Sequence, residues 1–374
     1  MNNNIRWLRD RIKMMDLQGI IISNPINIKY LTGIEAEGTF LVTPKENIYI
    51  TDGRYVEAVN NTLTINDEIV VFNMKDLAKE DYENFFLFCE KVGFEESYVT
   101  YAQYKDIMHR YKINSLEETE GIIERQRMIK DPEEIELITK ACQITDACFN
   151  HLKSYIKIGQ TEKQIAKEIE EFYINNGADD VSFETIVASG QNSSKPHAVP
   201  TDKKIEAGDP ITIDMGCKYK GYCSDMTRTI FAGFVPEQIK PVYELVLKNQ
   251  KQAINEIKEG ANLKIVSRMV ENDFKLNGFD LIHALGHGVG LEIHELPFFS
   301  TKKDVMLKNN MVVTDEPGIY LPNKFGVRIE DTLWVNKGMS TQLTKSEKDY
   351  VIVDERAWFL SKNVVLYNSY EVSK

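Results

Sequence analysis

In the stretch ITIDMGCKYKGYCSD, residues 211–225, Asp214 and Asp225 stand on the two arms of what reads as an antiparallel hairpin. With the turn centred on Tyr219-Lys220, the two carboxylates lie directly opposite one another on one face of the ribbon. Their Cβ atoms are then about 4.5–5.5 Å apart, where like charges repel. The pattern returns further along the chain. Asp214-Met-Gly216, a turn and Gly221…Asp225-Met-Thr227 are echoed by Glu316-Pro-Gly318, a turn and Gly326…Glu330-Asp-Thr332. The second loop is longer, and with Asn323 at its midpoint Glu316 opposes Glu330. Two such hairpins packed about a pseudo-twofold axis bring four carboxylates together. Partly buried and ionised, they cannot coexist unaided. Divalent cations resolve the repulsion, and bridging carboxylates suit a pair of them. Four solvated surface acids are the plain alternative, since Asp and Glu are mostly exposed; the repetition of the pattern argues against it.

Histidine use points the same way. The chain has six histidines, and three of them, His283, His287 and His294, fall within HALGHGVGLEIH. Glycines 286, 288 and 290 read as a tight loop leading into a strand at LEIH, with the His287 imidazole exposed by its glycine neighbours. His197 lies in SGQNSSKPHAVP, a polar, proline-flanked loop of the kind that gathers site residues at a sheet rim. His109 and His151 have no such context and read as structural. Arg328 precedes Glu330 by two positions, so on a regular strand it points to the same face, either as a surface arginine at a strand end or as a cation that orients the acids. Cys217 and Cys223 are expected to point away from the acid face and to pack.

The elements that must position these groups are legible in outline. Residues 1–120 mix helix and strand patterns, beginning with an amphipathic helix marked by Ile5, Leu8 and Ile12 and continuing through GIIIS, TFLVT and NIYITDGRY. After a basic run, Asp131, Pro132 and Glu134 form the N-cap, first turn and capping box of a strong helix, with Ile135, Ile138 and Cys142 on one face. Thr161 and Gln164 open a second helix in the same way. Strands FETIVAS, PITIDMG and GYCSDMTRTIF follow, then helices near 237–259 and 263–276, then GLEIH, MVVTDEPG and GVRIEDTLWV. Helix, helix, strands occurs twice, which predicts a duplication with two α/β halves sharing a sheet. The expected domains are 1–124 and 131–374.

With 374 residues, 43% hydrophobic and 27% charged, the chain has the composition of a soluble globular protein and the length for two domains. A net charge of −12 excludes a nucleic-acid partner, which needs a basic face. No apolar run reaches 18 residues and the start lacks a signal-peptide core, so a cytoplasmic protein with no membrane partner is expected. Five cysteines without a CxxC pair read as reduced thiols.

Taken together, IDMGCKYKGYCSDMTRT, GHGVGLEIHE, EPGIY and RIED resemble the pita-bread-fold metallopeptidases, the group of aminopeptidase P, prolidase and methionine aminopeptidase. The resemblance runs from about Asp131 to Thr344. The first 120 residues, with YLTG and TDGRY, resemble the amino-terminal domain of the aminopeptidase P, prolidase and creatinase branch. The fold implied is α+β: a creatinase-like α/β domain followed by a pita-bread catalytic domain with a pseudo-twofold internal repeat. The resemblance implies that Asp214 holds one ion, Asp225 and Glu330 bridge two, and His287 and Glu316 complete the second. One imidazole with four carboxylates suits Mn²⁺, with Co²⁺ or Zn²⁺ also accommodated. It further implies that Glu316 shuttles protons, that His197 and His294 bind substrate and stabilise the intermediate, and that His283 lines the pocket. A homodimer is expected by resemblance alone. Asp315, where an apolar residue is common in the family, is a departure that displaces no ligand.

Three functions compete. Hydrolysis of bonds before proline is favoured over a creatinase-type reaction, because all five ligand positions are filled, and over a non-catalytic binding module, because none is lost. Between aminopeptidase P and prolidase, the sequence leans to the former. A prolidase needs a cation for the carboxylate that follows proline, and neither 190–200 nor 283–300 holds an arginine. Arg54 or another residue of the amino-terminal domain is the remaining candidate.

Overall fold

The structure, a computed structural model, describes residues 3–63 and 68–355. By internal packing the chain divides into two units, Met1–Arg127 and Met128–Lys374. Residues 356–374 of the expected second domain lie outside the described residues.

In the first unit a six-stranded sheet runs in the order Ile69–Asn73, Asn47–Thr51, Gly38–Val42, Gly19–Ile22, Val92–Phe94, Leu116–Glu118. Its central strands are buried on both faces, and the period of two divides them between two cores. Ile20, Ile22, Phe40, Val42 and Tyr49 pack with Ile5, Leu8 and Ile12 of the opening helix Asn3–Met14. Ile21, Leu41, Ile48 and Ile50 pack with Phe86, Ile107 and Tyr111 on the other side.

The second unit repeats one design. In its first half, helices Pro132–Tyr155 and Glu162–Asn175 cover strands Ile186–Ser189, Pro210–Met215 and Met226–Ala232 through a core that includes Phe149, Ile165, Val187, Ile213 and Ile230. In its second half, helices Lys240–Glu256 and Leu263–Leu276 cover Val312–Asp315 and Asp331–Asn336 through Val246, Val270, Phe274, Val313 and Leu333. Asp131 and Thr161 cap their helices as the sequence predicts, each in a reciprocal capping box. By backbone pairing the halves do not share one sheet, contrary to expectation; the strands fall into separate ladders. The halves meet instead at a seam where Glu330 N–H donates to the Thr227 carbonyl (3.0 Å) and Thr229 Oγ1 contacts both backbone groups of Arg328.

Register corrects one expectation and bears out another. Lys218 pairs with Cys223 and Tyr219 with Tyr222, so the first turn centres on Lys220-Gly221, both with positive φ. Asp214 therefore faces Thr227, with Met215 facing Met226, and Asp225 is the diagonal neighbour of Asp214. A shift of the turn centre by one residue moves the pairing by two, so the face is preserved although the direct opposition is lost. In the second hairpin Asp315 pairs with Asp331 and Gly318 with Arg328, so Glu316 and Glu330 stand opposite at the break between the two ladders. Asn323, with φ of 60°, is the midpoint as expected. LEIH, expected as a strand, is a succession of bends. Cys217 and Cys223 are fully buried, each among apolar side chains. Among the described residues no helix is long and apolar enough to cross a membrane.

Candidate metal centre

The glycine-rich loop is tied edge-on to the strand Val312–Asp315. Val289 N–H donates to Val312, Thr314 N–H to His287 and Glu316 N–H to Leu285, an antiparallel run that sets His287 beside Glu316. His287 N–H in turn donates to Thr314 Oγ1 (3.1 Å). The glycines permit this approach: a Cβ at Gly286 would collide with the Thr314 carbonyl, and one at Gly288 with the Leu296 carbonyl. Gly286→Ala is therefore expected to displace His287 and lower metal content, read by metal analysis of the purified protein.

Asp225, His287 and Glu330, all buried, offer ligand atoms within 4.8 Å of one another. His287 Nε2 lies 3.4 Å from Asp225 Oδ2 and 3.6 Å from Glu316 Oε1. Asp214 is held by Arg328, whose Nη2 donates to Oδ2 at 2.6 Å. Arg328 also donates to Thr227 Oγ1 (3.1 Å), Tyr320 Oη (2.6 Å) and the Pro196 carbonyl (3.2 Å). The Arg328 reading is thereby refined: this buried cation pairs directly with Asp214 and reaches Glu330 through Thr227, whose hydroxyl donates to Glu330 Oε2 at 2.7 Å. Thr332 of the second repeat donates in turn to the Asp225 carbonyl (2.8 Å).

All nine residues singled out from the sequence line one cavity of about 440 Å³, together with Phe183, Ile186, Val199, Ile293 and Phe298. His294 stands edge-on to His287, ring centres 4.4 Å apart. His283 Nε2 meets Tyr320 Oη at 3.0 Å, and His197 is exposed on the proline-flanked loop. Tyr320 and Thr227 were not singled out from the sequence. The signal for Thr227 was its place in the repeated acid-x-Thr; for Tyr320 none existed beyond the tyrosine of EPGIY.

The electrostatics test whether this group fits a cation. Burial, then Asp214 and Glu316, push the Asp225 carboxyl well above the usual carboxylate range; burial, then Asp225 and Glu316, do the same to Glu330. Burial moves Glu316 to about 7 against the pull of His287 and Arg328. Asp214 Oδ1 and Asp225 Oδ1 are buried with no hydrogen-bond partner. Orphaned carboxylate oxygens beside an imidazole, with one guanidinium for four acids, are a hard donor set that a divalent cation completes. The residues fit.

The family profile described as "Metallopeptidase family M24" matches residues 136–337, and "Creatinase/Prolidase N-terminal domain" matches residues 5–129. The chain belongs to metallopeptidase family M24. Within this family it is 35% identical over 350 residues to a Xaa-Pro dipeptidase of Pyrococcus furiosus, covering 91% of this chain and 98% of that protein. A solved Xaa-Pro dipeptidase from Bacillus anthracis superposes with TM-score 0.87 at 36% identity, covering 94% and 99% of the two chains. A Thermotoga maritima X-Pro aminopeptidase gives TM-score 0.83 at 31% identity, covering 92% and 100%. As an M24 member the chain is a metal-dependent peptidase with a creatinase-type amino-terminal domain.

Proposed function

We propose that the protein hydrolyses Xaa-Pro dipeptides with two Mn²⁺ ions bound, as a cytoplasmic homodimer. The observation that carries this reading is the match of nearly the whole chain to Xaa-Pro dipeptidases, combined with a cavity that presents all five expected ligands. It reverses the sequence's preference for aminopeptidase P, which rested on a missing arginine. Asp214, Asp225, His287, Glu316 and Glu330 are the proposed ligands; when bound, the ions polarise the scissile carbonyl and acidify an attacking water.

The remaining work falls to side chains. A bond before proline is a tertiary amide without an N–H, so recognition must come from chain ends and shape. The acids of the cluster face the free amino end, and the apolar wall of Phe183, Ile293 and Phe298 suits the pyrrolidine ring. Glu316, on the cavity wall beside His287, is the carboxylate placed to take a proton from water and return it to the leaving nitrogen. His197 and His294 face the same space and supply donors to the oxygen of the reacting carbonyl. Arg328 holds Asp214 in place throughout.

His197→Ala and His294→Ala are expected to retain the metals and lose about 10²–10⁴ in turnover, the scale of a removed proton donor or oxyanion donor. Metal analysis beside steady-state rates checks this, and loss of metal in the His294 variant would show that its role is ligation.

A second reading, removal of the first residue from longer Xaa-Pro-Yaa peptides, draws on one observation. Arg328, the arginine lining the cavity, already spends four of its five N–H donors on Asp214, Thr227, Tyr320 and the Pro196 carbonyl, which leaves at most one for a proline carboxylate. Rates on Leu-Pro against Leu-Pro-Gly with Mn²⁺ decide. Efficient dipeptide cleavage with no tripeptide turnover establishes the first reading; the opposite pattern establishes the second.

A further inference from the structure

Glu162 is a carboxylate with no exposure, at the first position of helix Glu162–Asn175, hydrogen-bonded to the loop that carries His197 but not lining the cavity. The hydrogen bonds to its side chain come from neutral groups at the two ends of that loop, Ser189 and Thr201, and from Asn192 within it. Oε1 accepts from Ser189 N–H (2.7 Å) and Ser189 Oγ (2.8 Å). Oε2 accepts from Thr201 N–H (3.0 Å) and Thr201 Oγ1 (2.6 Å). Asn192 Nδ2 donates to both oxygens at 3.1 Å. Two further backbone bonds close the same junction, from Glu162 N–H to Lys203 and from Lys163 N–H to Thr201. Lys203 approaches through Ser189, donating to its hydroxyl at 3.0 Å while pairing with Asp209.

A buried carboxylate is costly to hold without a touching cation, and a surface helix start is satisfied by many residues. What this one achieves is specific. The segment 196–200, with Pro196, His197, Ala198, Val199 and Pro200 on the cavity wall, has no regular ladder of its own, and two of its five residues lack an N–H. Its shape is set by its ends, and Glu162 pins both. The loop is tied at its middle to the catalytic side as well, through Arg328 donating to the Pro196 carbonyl and Ser193 Oγ accepting from Gly326 N–H.

We propose that Glu162 is a positioning residue, a carboxylate clamp that closes the 189–201 loop and thereby places His197 against the substrate. The proposal rests on the reading of the cavity as a peptide site. Gln in its place keeps size but offers one acceptor oxygen, and its amide turns a donor toward one set of donors, so one end of the loop is released.

In full-length Mn²⁺-loaded protein, Glu162→Gln is expected to lower kcat/KM on Leu-Pro about 10- to 100-fold, the scale of a small misplacement at a reacting centre. Bound Mn²⁺ should stay unchanged, because no proposed ligand lies on the loop. The effect should largely vanish in a His197→Ala background, since both changes act through one group. Additive losses, or a lower Tm with kcat and KM intact, overturn the proposal. Amide exchange gives an arm independent of substrate: Glu162→Gln should speed exchange at Ser189 and Thr201, and unchanged protection there also overturns it. If neither peptide is turned over by the unaltered protein, the exchange result alone decides the clamp and the functional reading is what fails. Should Glu162→Gln not fold, Thr201→Val, which removes one donor hydroxyl at the far end, reads the same quantities with a smaller effect.

Discussion

Asp225→Asn and Glu330→Gln are each expected to lose both Mn²⁺ ions and with them essentially all peptidase activity. Each carboxylate lies at the centre of the cluster, within the set of three whose ligand atoms fall inside 4.8 Å, and each is proposed to bridge. An amide keeps one oxygen but replaces the other with a donor, so it cannot serve two cations at once. The chain's own geometry sharpens the expectation. Thr227 Oγ1 donates to Glu330 Oε2, and in the Glu330→Gln variant that bond survives only if the amide nitrogen turns toward the open side where a cation would sit. The measurement is metal content after loading with Mn²⁺ and gel filtration, approaching two ions per chain in the unaltered protein and none in either variant. Unchanged stoichiometry would sink the bridging assignment. Asp214→Asn is the contrast, expected to lose one ion and to leave Arg328 without its carboxylate partner.

The second large effect is on stability. Asp331→Asn is expected to cost about 3–5 kcal/mol, the range for breaking a buried ion pair and stranding a charge. Asp331 is fully buried and accepts from Arg228 (2.7 Å), Thr344 (2.9 Å), Gln250 (2.8 Å), Gln342 (3.0 Å) and Lys348 (2.5 Å). Arg228, equally buried, also donates to the carbonyls of Thr227, Glu330, Ser346 and Glu347, so the network is the floor beneath the seam of the two halves. For a unit of this size the loss corresponds to a fall in Tm of about 6–20 °C by calorimetry. Burial raises the Asp331 carboxyl, but Arg228 and Lys348 outweigh it and hold the group below the usual carboxylate range. A depressed folded-state pKa contributes stability that is present above the unfolded value, near 4, and is lost as pH falls through the folded one. The gap between the two proteins should therefore be constant from about pH 6 to 8 and close in acid. Asp315, directly across the ladder, gives the control. Neither of its oxygens has a hydrogen-bond partner, so Asp315→Asn has no bond to lose and should leave Tm unchanged or higher. An equal loss in both variants would mean that the ladder, not the ionic network, carries the stability.

Much of the site was legible because β structure alternates with period two. Parity alone placed Asp214 and Asp225 on one face, and that survived an error of one residue in the turn centre. Glycine positions around His287 were informative for a related reason: only a residue without Cβ lets the loop lie against the Thr314 and Leu296 carbonyls. The repeated acid-x-Thr announced a duplicated pair of hairpins that bring their acids into one cavity, and helix caps at Asp131 and Thr161 marked where each helix of the first half begins.

By itself, then, the sequence determined which polar side chains gather in one cavity, which face they leave from, and that the second unit is a duplication, since spacing and local capping are properties of neighbouring residues. Only the tertiary structure decided how the halves join. A seam of single backbone and threonine contacts, Glu330 to Thr227 and Arg328 to Thr229, replaces the continuous sheet that the pattern suggested. It also decided that Arg328 grips Asp214, that Tyr320 braces both Arg328 and His283, and that a glutamate remote from the acids closes the His197 loop. Those partners lie from 8 to 114 residues apart along the chain. No periodicity encodes such pairings; they follow from packing two helix-covered layers so that buried charges find donors, which is a property of the assembled fold.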